Sequence, residues 1–222
     1  MSTVLVTGFG PYGNTPTNPA QEVAEGLDGS RVGDATIAGR IVPCVFFEAI
    51  AAAVSAIREV RPELVVMLGE FGGRAMLTVE RIAQNLDDAS RYGLADNAGK
   101  APVEERIAPQ GPAAHYATLP IRAMVKAMRK AGIPADISDA PGTLVCNHLM
   151  YGVLHHIAAE GLPIRAGWIH LPALPSVAAL EANLGMPSMT AETSRLGVEV
   201  AIAAALEHQD DIVEPVRSAW QI

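Results

Sequence analysis

Short apolar runs alternate along this chain with longer segments in which apolar residues recur every three or four positions. The short runs predict strands, and the longer segments predict amphipathic helices. The run 64–68 is apolar at every position, which is typical of a strand in the middle of a parallel sheet. The predicted strands cover residues 4–7, 36–42, 64–68, 76–83, 135–138 and 164–171, and predicted helices cover residues 46–60, 119–131, 146–160 and 190–208.

The ends of several segments carry their own signals. Another helix is predicted to begin at Pro19 with Asn18 as its N-cap, because both residue types are favoured at those positions. Polar residues dominate the segment 84–111, and an irregular segment of that length is uncommon unless it has a function. Since strands and helices alternate, residues 1–222 are predicted to form one α/β domain, with a mostly parallel, twisted central sheet covered by helices.

Composition narrows the possible partners and compartments. Half of the 222 residues are hydrophobic and 18% are charged, so a disordered chain is not expected. A net charge of -8 without a Lys/Arg cluster argues against binding to nucleic acid or to an anionic membrane. The two cysteines, Cys44 and Cys146, fit a reducing compartment. Without a basic leader or an apolar stretch of about 20 residues, a soluble cytoplasmic protein is expected.

Glycines at positions 8, 10 and 13 follow the first strand with the spacing of a dinucleotide-binding loop. That function requires the last glycine to lead directly into a helix. Here Pro11 occupies the turn and Pro16 delays any helix, so the context argues against nucleotide binding. Phe9 and Tyr12 instead offer flat apolar walls for a small-molecule pocket, or simply pack on the edge of the sheet.

Cys146 is the strongest candidate for a chemically active side chain. It lies at the predicted start of a helix, where unpaired backbone N–H groups and the helix dipole lower a thiol pKa and favour a thiolate. His170 ends an apolar strand, and Glu80 lies in another strand on the face shared by residues 76, 78, 80 and 82. A cysteine, a histidine and an orienting acid together make up a thiol hydrolase.

Each of these residues also has an ordinary structural interpretation. A free cysteine is usually a small buried hydrophobe. His170 fits a packed core position, and Glu80 fits a strand carboxylate paired with an arginine. The hydrolase hypothesis therefore depends on the combination of the three residues.

Several motifs occur in one order along nearly the whole chain. They are the opening 4–13 with Asn18–Pro19, Gly72–Gly73–Arg74 before Glu80–Arg81, Asn85–Leu86 with Asp88–Ala89, Asp96–Asn97, the run 142–149 around Cys146, and residues 169–172 around His170. In this set of motifs the chain resembles the pyroglutamyl peptidase I family, also called pyrrolidone-carboxylate peptidases. These are cysteine peptidases that remove an N-terminal pyroglutamate from peptides.

The resemblance implies a fold, an assembly and a set of roles. It implies a three-layer α/β/α sandwich and a homo-oligomer, a dimer or tetramer, that needs no metal and no cofactor. It assigns the catalytic roles to Glu80, Cys146 and His170, and it implies peptides with N-terminal pyroglutamate as substrates. A catalytically silent relative that binds peptides or small molecules is the alternative, and the three intact residues argue against it.

The substrate pocket implied by the resemblance is lined by residues from several segments. They are Phe9, Tyr12, Glu70, Phe71, Leu144 and Val145, with Arg91 helping to shape the acyl site. The family usually has glutamine at position 70, phenylalanine at position 12, an aromatic residue at position 144 and alanine at position 141. Glu70 either accepts a hydrogen bond from the lactam N–H of the substrate or pairs with Arg74. Cys44 lies where the family has a pocket residue, although a packed small hydrophobe is the simpler interpretation.

Overall fold

The computed structural model describes residues 2–13 and 15–218 and confirms the mixed α/β architecture. Its elements are β1 (Thr3–Phe9), α1 (Pro19–Leu27), β2 (Arg31–Val32), β3 (Ala35–Val42), α2 (Glu48–Val60), β4 (Leu64–Glu70), β5 (Leu77–Glu80), β6 (Ile82–Gln84), β7 (Ala114–Tyr116), α3 (Ile121–Lys130), β8 (Ala135–Ser138), α4 (Val145–Ala159), β9 (Arg165–Leu171), α5 (Pro175–Ala178) and α6 (Ala191–Glu207). Two short 3₁₀ turns cover Ser90–Tyr92 and Glu181–Asn183.

Seven strands form one sheet in the order β2-β3-β1-β4-β9-β5-β8. The four central strands β3, β1, β4 and β9 are parallel, as predicted. In contrast, β5 pairs antiparallel with β9 and parallel with β8, and β2 pairs antiparallel with β3. The reversed direction of β5 sets two distant segments of the chain side by side, and the candidate site depends on this arrangement.

Helices cover both faces of the sheet, which gives the expected three layers. Buried side chains of α1, α3 and α6 pack on one face, against alternate residues of the central strands such as Val66 and Leu68. Buried side chains of α2 and α4 pack on the other face, against Val65, Met67 and Trp168. Among the described residues, no helix is long and apolar enough to span a lipid bilayer.

Local signals place the helix starts within one or two residues of the prediction. The Asn18 side chain accepts a hydrogen bond from the Ala20 N–H at 2.9 Å, so the predicted N-cap is confirmed. The helix predicted from residue 46 begins at Glu48, because Phe47 has a φ of 65° and cannot be helical. Pro19 follows Gly13 at a distance of six positions, so the glycine pattern does not lead directly into a helix.

The strand predicted over residues 76–83 is in fact two strands in two sheets. β5 ends at Glu80, and after Arg81 the chain turns away, so that β6 pairs with β7 in a separate two-stranded sheet. The Arg81 N–H still donates to Ser138 O at 2.8 Å, and Arg81 O accepts from the Ala117 N–H at 2.9 Å. The prediction that residue 82 shares a strand face with Glu80 is therefore wrong.

Gly8 is required for close packing between β1 and α1. A Cβ atom at this position would overlap the backbone carbonyl of Ala20, whereas a Cβ at Gly10 would meet nothing closer than 3.8 Å. Neither glycine has a positive φ. The first glycine of the loop is therefore explained by the contact between helix and strand.

We expect Gly8→Ala to lower the free energy of unfolding by about 1 to 3 kcal/mol, because the helix must move away from the strand. Gly10→Ala is the matched control and should change stability by less than about 0.5 kcal/mol. Urea denaturation of both variants and the wild type provides the measurement. Equal stabilities for the two variants would contradict the packing argument.

Candidate active site

The three candidate catalytic residues belong to elements that pack together on the α2/α4 face of the sheet. His170 of β9 lies opposite Gly69 of β4, and residues paired in a parallel sheet point to the same face. On the other side of β9, Thr78 of β5 lies opposite His170, and Glu80 lies opposite Trp168. The antiparallel pairing thus brings a carboxylate to a histidine that is 90 positions away in the chain.

Glu80 and His170 form a buried hydrogen bond. The distance between His170 Nδ1 and Glu80 Oε1 is 2.7 Å, and neither side chain is more than 1% exposed. Because a carboxylate only accepts, the imidazole presents Nδ1–H to Glu80 and leaves the lone pair on Nε2. Among the described residues, Nε2 is buried without a hydrogen-bond partner. The imidazole is thus in the tautomer that can accept a proton from a neighbouring group.

Arg74 is a second partner of the same carboxylate oxygen. Its Nη1 lies 2.7 Å from Glu80 Oε1, and its side chain is only 10% exposed. Burial alone would raise the pKa of Glu80, but the hydrogen bond from His170 and the charges of His170 and Arg74 outweigh it and hold the pKa below its ordinary value. Glu80 is therefore ionised at neutral pH.

Cys146 lies in the first turn of α4, and its sulfur lies against the backbone of Gly69. A Cβ atom on Gly69 would lie 3.0 Å from Cys146 Sγ and 2.5 Å from Trp168 Cζ2. Only glycine therefore leaves room for the sulfur at this point of the sheet. Since His170 is the cross-strand partner of Gly69, the thiol and the imidazole lie on the same face of the sheet.

The surroundings of the thiol change its protonation in the direction opposite to that predicted. Burial raises the pKa of Cys146 well above its usual value, and the nearby Cys44, Glu80 and Glu70 raise it further. Burial also lowers the pKa of His170, although Glu80 opposes this effect. These directions oppose the predicted lowering of the thiol pKa and favour a neutral thiol beside a neutral imidazole in the free protein.

The first turn of α4 offers free backbone donors beside the sulfur. Leu144 is its N-cap and provides no side-chain hydrogen bond. Within residues 2–13 and 15–218, the N–H groups of Val145, Cys146 and Asn147 donate to no backbone or side-chain acceptor. The start of a helix with unpaired N–H groups favours a negative charge that develops next to it.

The two residues after Cys146 fix the first turn of α4 to the segment that follows β5. The Asn147 side chain accepts from Gln84 N–H at 2.8 Å and donates to Gln84 O and Leu86 O at 2.9 Å. His148 Nδ1 lies 2.7 Å from Asp87 Oδ2, and its Nε2 accepts from the Phe47 N–H at 2.8 Å. The polar segment that the sequence left without a role thus holds the nucleophile in place.

A cavity of about 260 Å³ opens beside Cys146. Five of the seven predicted pocket residues line it, together with residues that the sequence did not assign to it; the lining comprises Phe9, Tyr12, Gly13, Thr15, Asn18, Cys44, Phe46, Glu70, Ala89, Leu94, Ala95, Asp96, Leu144, Val145 and Cys146. Phe71 and Arg91 are the two exceptions. Phe71 packs edge to face on the His170 ring at 5.2 Å, and Arg91 is exposed and stacks on Tyr92 at 4.8 Å.

Glu70 is an unusual group in this cavity. Its Oε2 atom is buried without a hydrogen-bond partner among the described residues, and burial raises its pKa to about 7. Since the guanidinium of Arg74 pairs with Glu80, the alternative in which Glu70 pairs with Arg74 is wrong. In the described part of the chain, no three His, Cys, Asp or Glu side chains converge as a metal site.

Comparison with known proteins places this site in a family. A family model described as pyroglutamyl peptidase matches residues 2–208. The chain belongs to the pyroglutamyl peptidase family. It is 64% identical to the pyrrolidone-carboxylate peptidases of Mycobacterium tuberculosis and Mycobacterium marinum, over the full length of each chain.

Solved structures of this family share the fold described above. The crystal structure of pyroglutamyl peptidase I from Bacillus amyloliquefaciens is 38% identical and superimposes with a TM-score of 0.92, covering 97% of this chain and 100% of the other. The pyrrolidone carboxyl peptidase of Thermococcus litoralis is 37% identical, with a TM-score of 0.91 and the same coverage. The family resemblance and the α/β fold class expected from the sequence are confirmed.

The structure decides between alternatives that the sequence left open for two residues. Arg74 was one possible partner of Glu70, and the arginine that would pair with Glu80 was not identified, because a position in a loop gives no direction for the side chain. Cys44 both packs in the core and lines the cavity, and burial raises its pKa to about 12. The sequence signals for Arg74 are its place directly after Gly72 and Gly73 and its distance of six residues before Glu80.

We expect the alkylation of Cys146 by iodoacetamide to accelerate about tenfold for each pH unit between 7 and 9, because only the thiolate reacts and its pKa lies above this range. Mass spectrometry of the Cys146 and Cys44 peptides separates the two sites. A short cysteine peptide is the control, and its rate should level off above a pKa of about 8.5. A Cys146 rate that is high and constant from pH 6 to 8 would show a resting thiolate and contradict this assignment.

Proposed function

We propose that this chain is a cysteine peptidase that hydrolyses the bond after an N-terminal pyroglutamate and releases 5-oxoproline. The observation that supports this most strongly is the buried Glu80–His170 hydrogen bond, whose free Nε2 lies on the same sheet face as the sulfur of Cys146. The names of the relatives support pyroglutamyl peptides as the substrates. We assign Cys146 as nucleophile, His170 as general base and acid, and Glu80 as the orienting acid.

The reaction begins from the neutral pair. His170 Nε2 accepts the thiol proton as the sulfur of Cys146 attacks the carbonyl carbon that follows the lactam ring. The carbonyl oxygen becomes negative and is stabilised by the free N–H groups of the first turn of α4; loss of one such donor costs about 3 to 4 kcal/mol in similar sites. Glu80 stabilises the imidazolium that forms without taking its proton.

The second half of the reaction returns the enzyme to its starting state. The imidazolium of His170 donates its proton to the leaving amine as the C–N bond breaks, which leaves a thioester on Cys146. His170 then accepts a proton from water, whose oxygen attacks the thioester carbon. The C–S bond breaks, the sulfur takes back the proton, and 5-oxoproline leaves.

The cavity suits a small uncharged ring. Phe9, Tyr12 and Val145 supply apolar walls, and about 260 Å³ is enough space for a five-membered lactam. Since the lactam has one N–H donor, the unpartnered Oε2 of Glu70 is a suitable acceptor. A site that satisfies this donor rejects rings that lack it more strongly than shape alone would.

The remaining features of the proposed protein come from the family resemblance and from the length and composition of the chain. We propose a single-domain peptidase over residues 1–222, a homo-oligomer that is a dimer or tetramer, and a cytoplasmic location. Cys44 and Cys146 are both free thiols, which fits a reducing compartment. The continuous sheet from β2 to β8 supports a single domain.

We expect the wild-type protein to release a fluorogenic amine from its pyroglutamyl amide and to leave the prolyl and alanyl amides intact. Cys146→Ser and His170→Asn should each lose more than about a thousandfold in kcat, because they remove the nucleophile and the base. His156→Asn is the matched control, since His156 lies at the other end of α4, away from the cavity. No turnover by the folded, reduced wild type would favour the binding-module alternative.

We expect the KM for the pyroglutamyl amide to rise as the pH falls below about 7, because protonation of Glu70 weakens its acceptance of the lactam N–H. Glu70→Gln keeps an acceptor oxygen that does not titrate, so its KM should stay constant between pH 5.5 and 8. Steady-state kinetics across this range measure both proteins. An identical pH dependence of KM in the two proteins would exclude Glu70 as the acceptor.

A further inference from the structure

Arg74 makes an unusual set of contacts for a residue in a surface loop. Its Nη1 donates to Glu80 Oε1 at 2.7 Å and also to the hydroxyl of Thr78, and its Nη2 donates to Ala140 O at 3.1 Å. The guanidinium lies over the ring of Phe71, at 3.7 Å from the centroid. Four separate contacts hold one side chain that is only 10% exposed.

A tight turn after β4 directs Arg74 back toward the site. The Arg74 N–H donates to Phe71 O at 3.3 Å, and Gly73 occupies the turn with a φ of 91°. This backbone conformation favours glycine, since other residues are strained there. The Phe71 N–H in turn donates to Leu171 O at 2.9 Å, so the turn is fixed to the strand that carries His170.

We propose that Arg74 is a positioning residue for the hydrolysis, acting through Glu80 to set the orientation and the protonation of His170. The inference rests on the function proposed above and deepens it. Arg74 and His170 donate to the same oxygen of Glu80, so the guanidinium fixes where that oxygen lies when the imidazole meets it. A shift of about 1 Å in a reacting group reduces rates by up to about a hundredfold.

The ring of Phe71 completes the arrangement. One side of it carries the Arg74 guanidinium at 3.7 Å, and the ring meets the His170 imidazole edge to face at 5.2 Å. The Phe71 side chain therefore contacts both groups that donate to Glu80, the guanidinium of Arg74 and the imidazole of His170. This accounts for the contacts of the Phe71 side chain, which packs on the histidine and does not line the cavity to which the sequence assigned the residue.

Two charged groups act on His170: Glu80 on β5 and Arg74 in the turn after β4. Cys146 on α4 lies on the same face of the sheet as the imidazole, and Glu70 at the end of β4 acts on the thiol of Cys146. Burial lowers the pKa of His170, Glu80 raises it, and the charge of Arg74 lowers it. Removing the charge of Arg74 should therefore raise the pKa of His170 and leave more of it protonated, and thus inactive as a base, at a given pH.

The test compares Arg74→Met, Arg74→Lys and the wild type with the pyroglutamyl amide from pH 5 to 9. Arg74→Met should lower kcat by roughly ten- to a hundredfold with little change in KM. The pH below which kcat/KM falls should also rise by about one unit. Arg74→Lys keeps the positive charge but lacks the planar guanidinium. The pH dependence of kcat/KM should therefore match that of the wild type on the acidic side, while kcat stays reduced.

Arg81→Met is the matched control. Arg81 is also close to Glu80 in the chain, but its side chain is half-exposed and pairs with Asp139 at 2.9 Å. Its kcat and the pH dependence of its kcat/KM on the acidic side should match the wild type. An Arg74→Met protein with wild-type kcat and an unchanged pH dependence of kcat/KM on the acidic side would overturn the proposal, as would a loss expressed only in KM.

A second measurement separates this proposal from the proposed function. The imidazole ¹⁵N shifts of His170, assigned with His170→Asn, report its pKa without substrate. A higher pKa of His170 in Arg74→Met supports the positioning role. If the wild type hydrolyses no pyroglutamyl amide, that result rejects the proposed activity and leaves the pKa result standing. If Arg74→Met does not fold, Arg74→Lys decides: a reduced kcat at constant KM supports the role, and a wild-type kcat overturns it.

Discussion

Glu80 is a carboxylate with no exposed surface, and the site is built around the need to compensate its charge. Placing an ion in a protein interior costs several kcal/mol unless charged partners and hydrogen bonds offset the loss of water. His170 and Arg74 provide this compensation, and both donate to the Oε1 atom of the carboxylate. The same contacts that make the charge tolerable also fix the tautomer of the histidine, so the stability and the chemistry of the site have a common origin.

The topology of the sheet brings this carboxylate within reach of the imidazole. Because β5 runs antiparallel to β9, Glu80 lies opposite Trp168 and reaches the imidazole two residues further along that strand. The chain then leaves the sheet at once, and the following segment returns over α4, where Asn147 holds it by three hydrogen bonds.

The sequence predicted the features that depend on a regular spacing of apolar residues or on the residue type at one position. The central parallel strands, the cap at Asn18 and the position of Cys146 at a helix start all follow from spacing and from residue type. The direction of β5, the break at Arg81 and the partner of Arg74 do not, because each depends on contacts with segments that are distant in sequence. The pattern alone supplied Glu80, Cys146 and His170 as candidates for one thiol hydrolase, and the resemblance to a family assigned the same three residues.

The protonation of Cys146 shows why local rules failed at this point. The helix start favours a thiolate, but the sulfur lies against the backbone of Gly69, and burial raises the pKa of the thiol. Moving the thiol proton to His170 leaves the total charge of the site unchanged and creates an anion beside the free N–H groups of α4 and a cation beside Glu80. The negative charge thus forms beside the N–H groups of α4 and the positive charge beside Glu80, where each is stabilised. Both charges form when a substrate carbonyl is present to be attacked. An uncharged lactam adds no charge to this balance, and we infer that the site is matched to such a substrate for this reason.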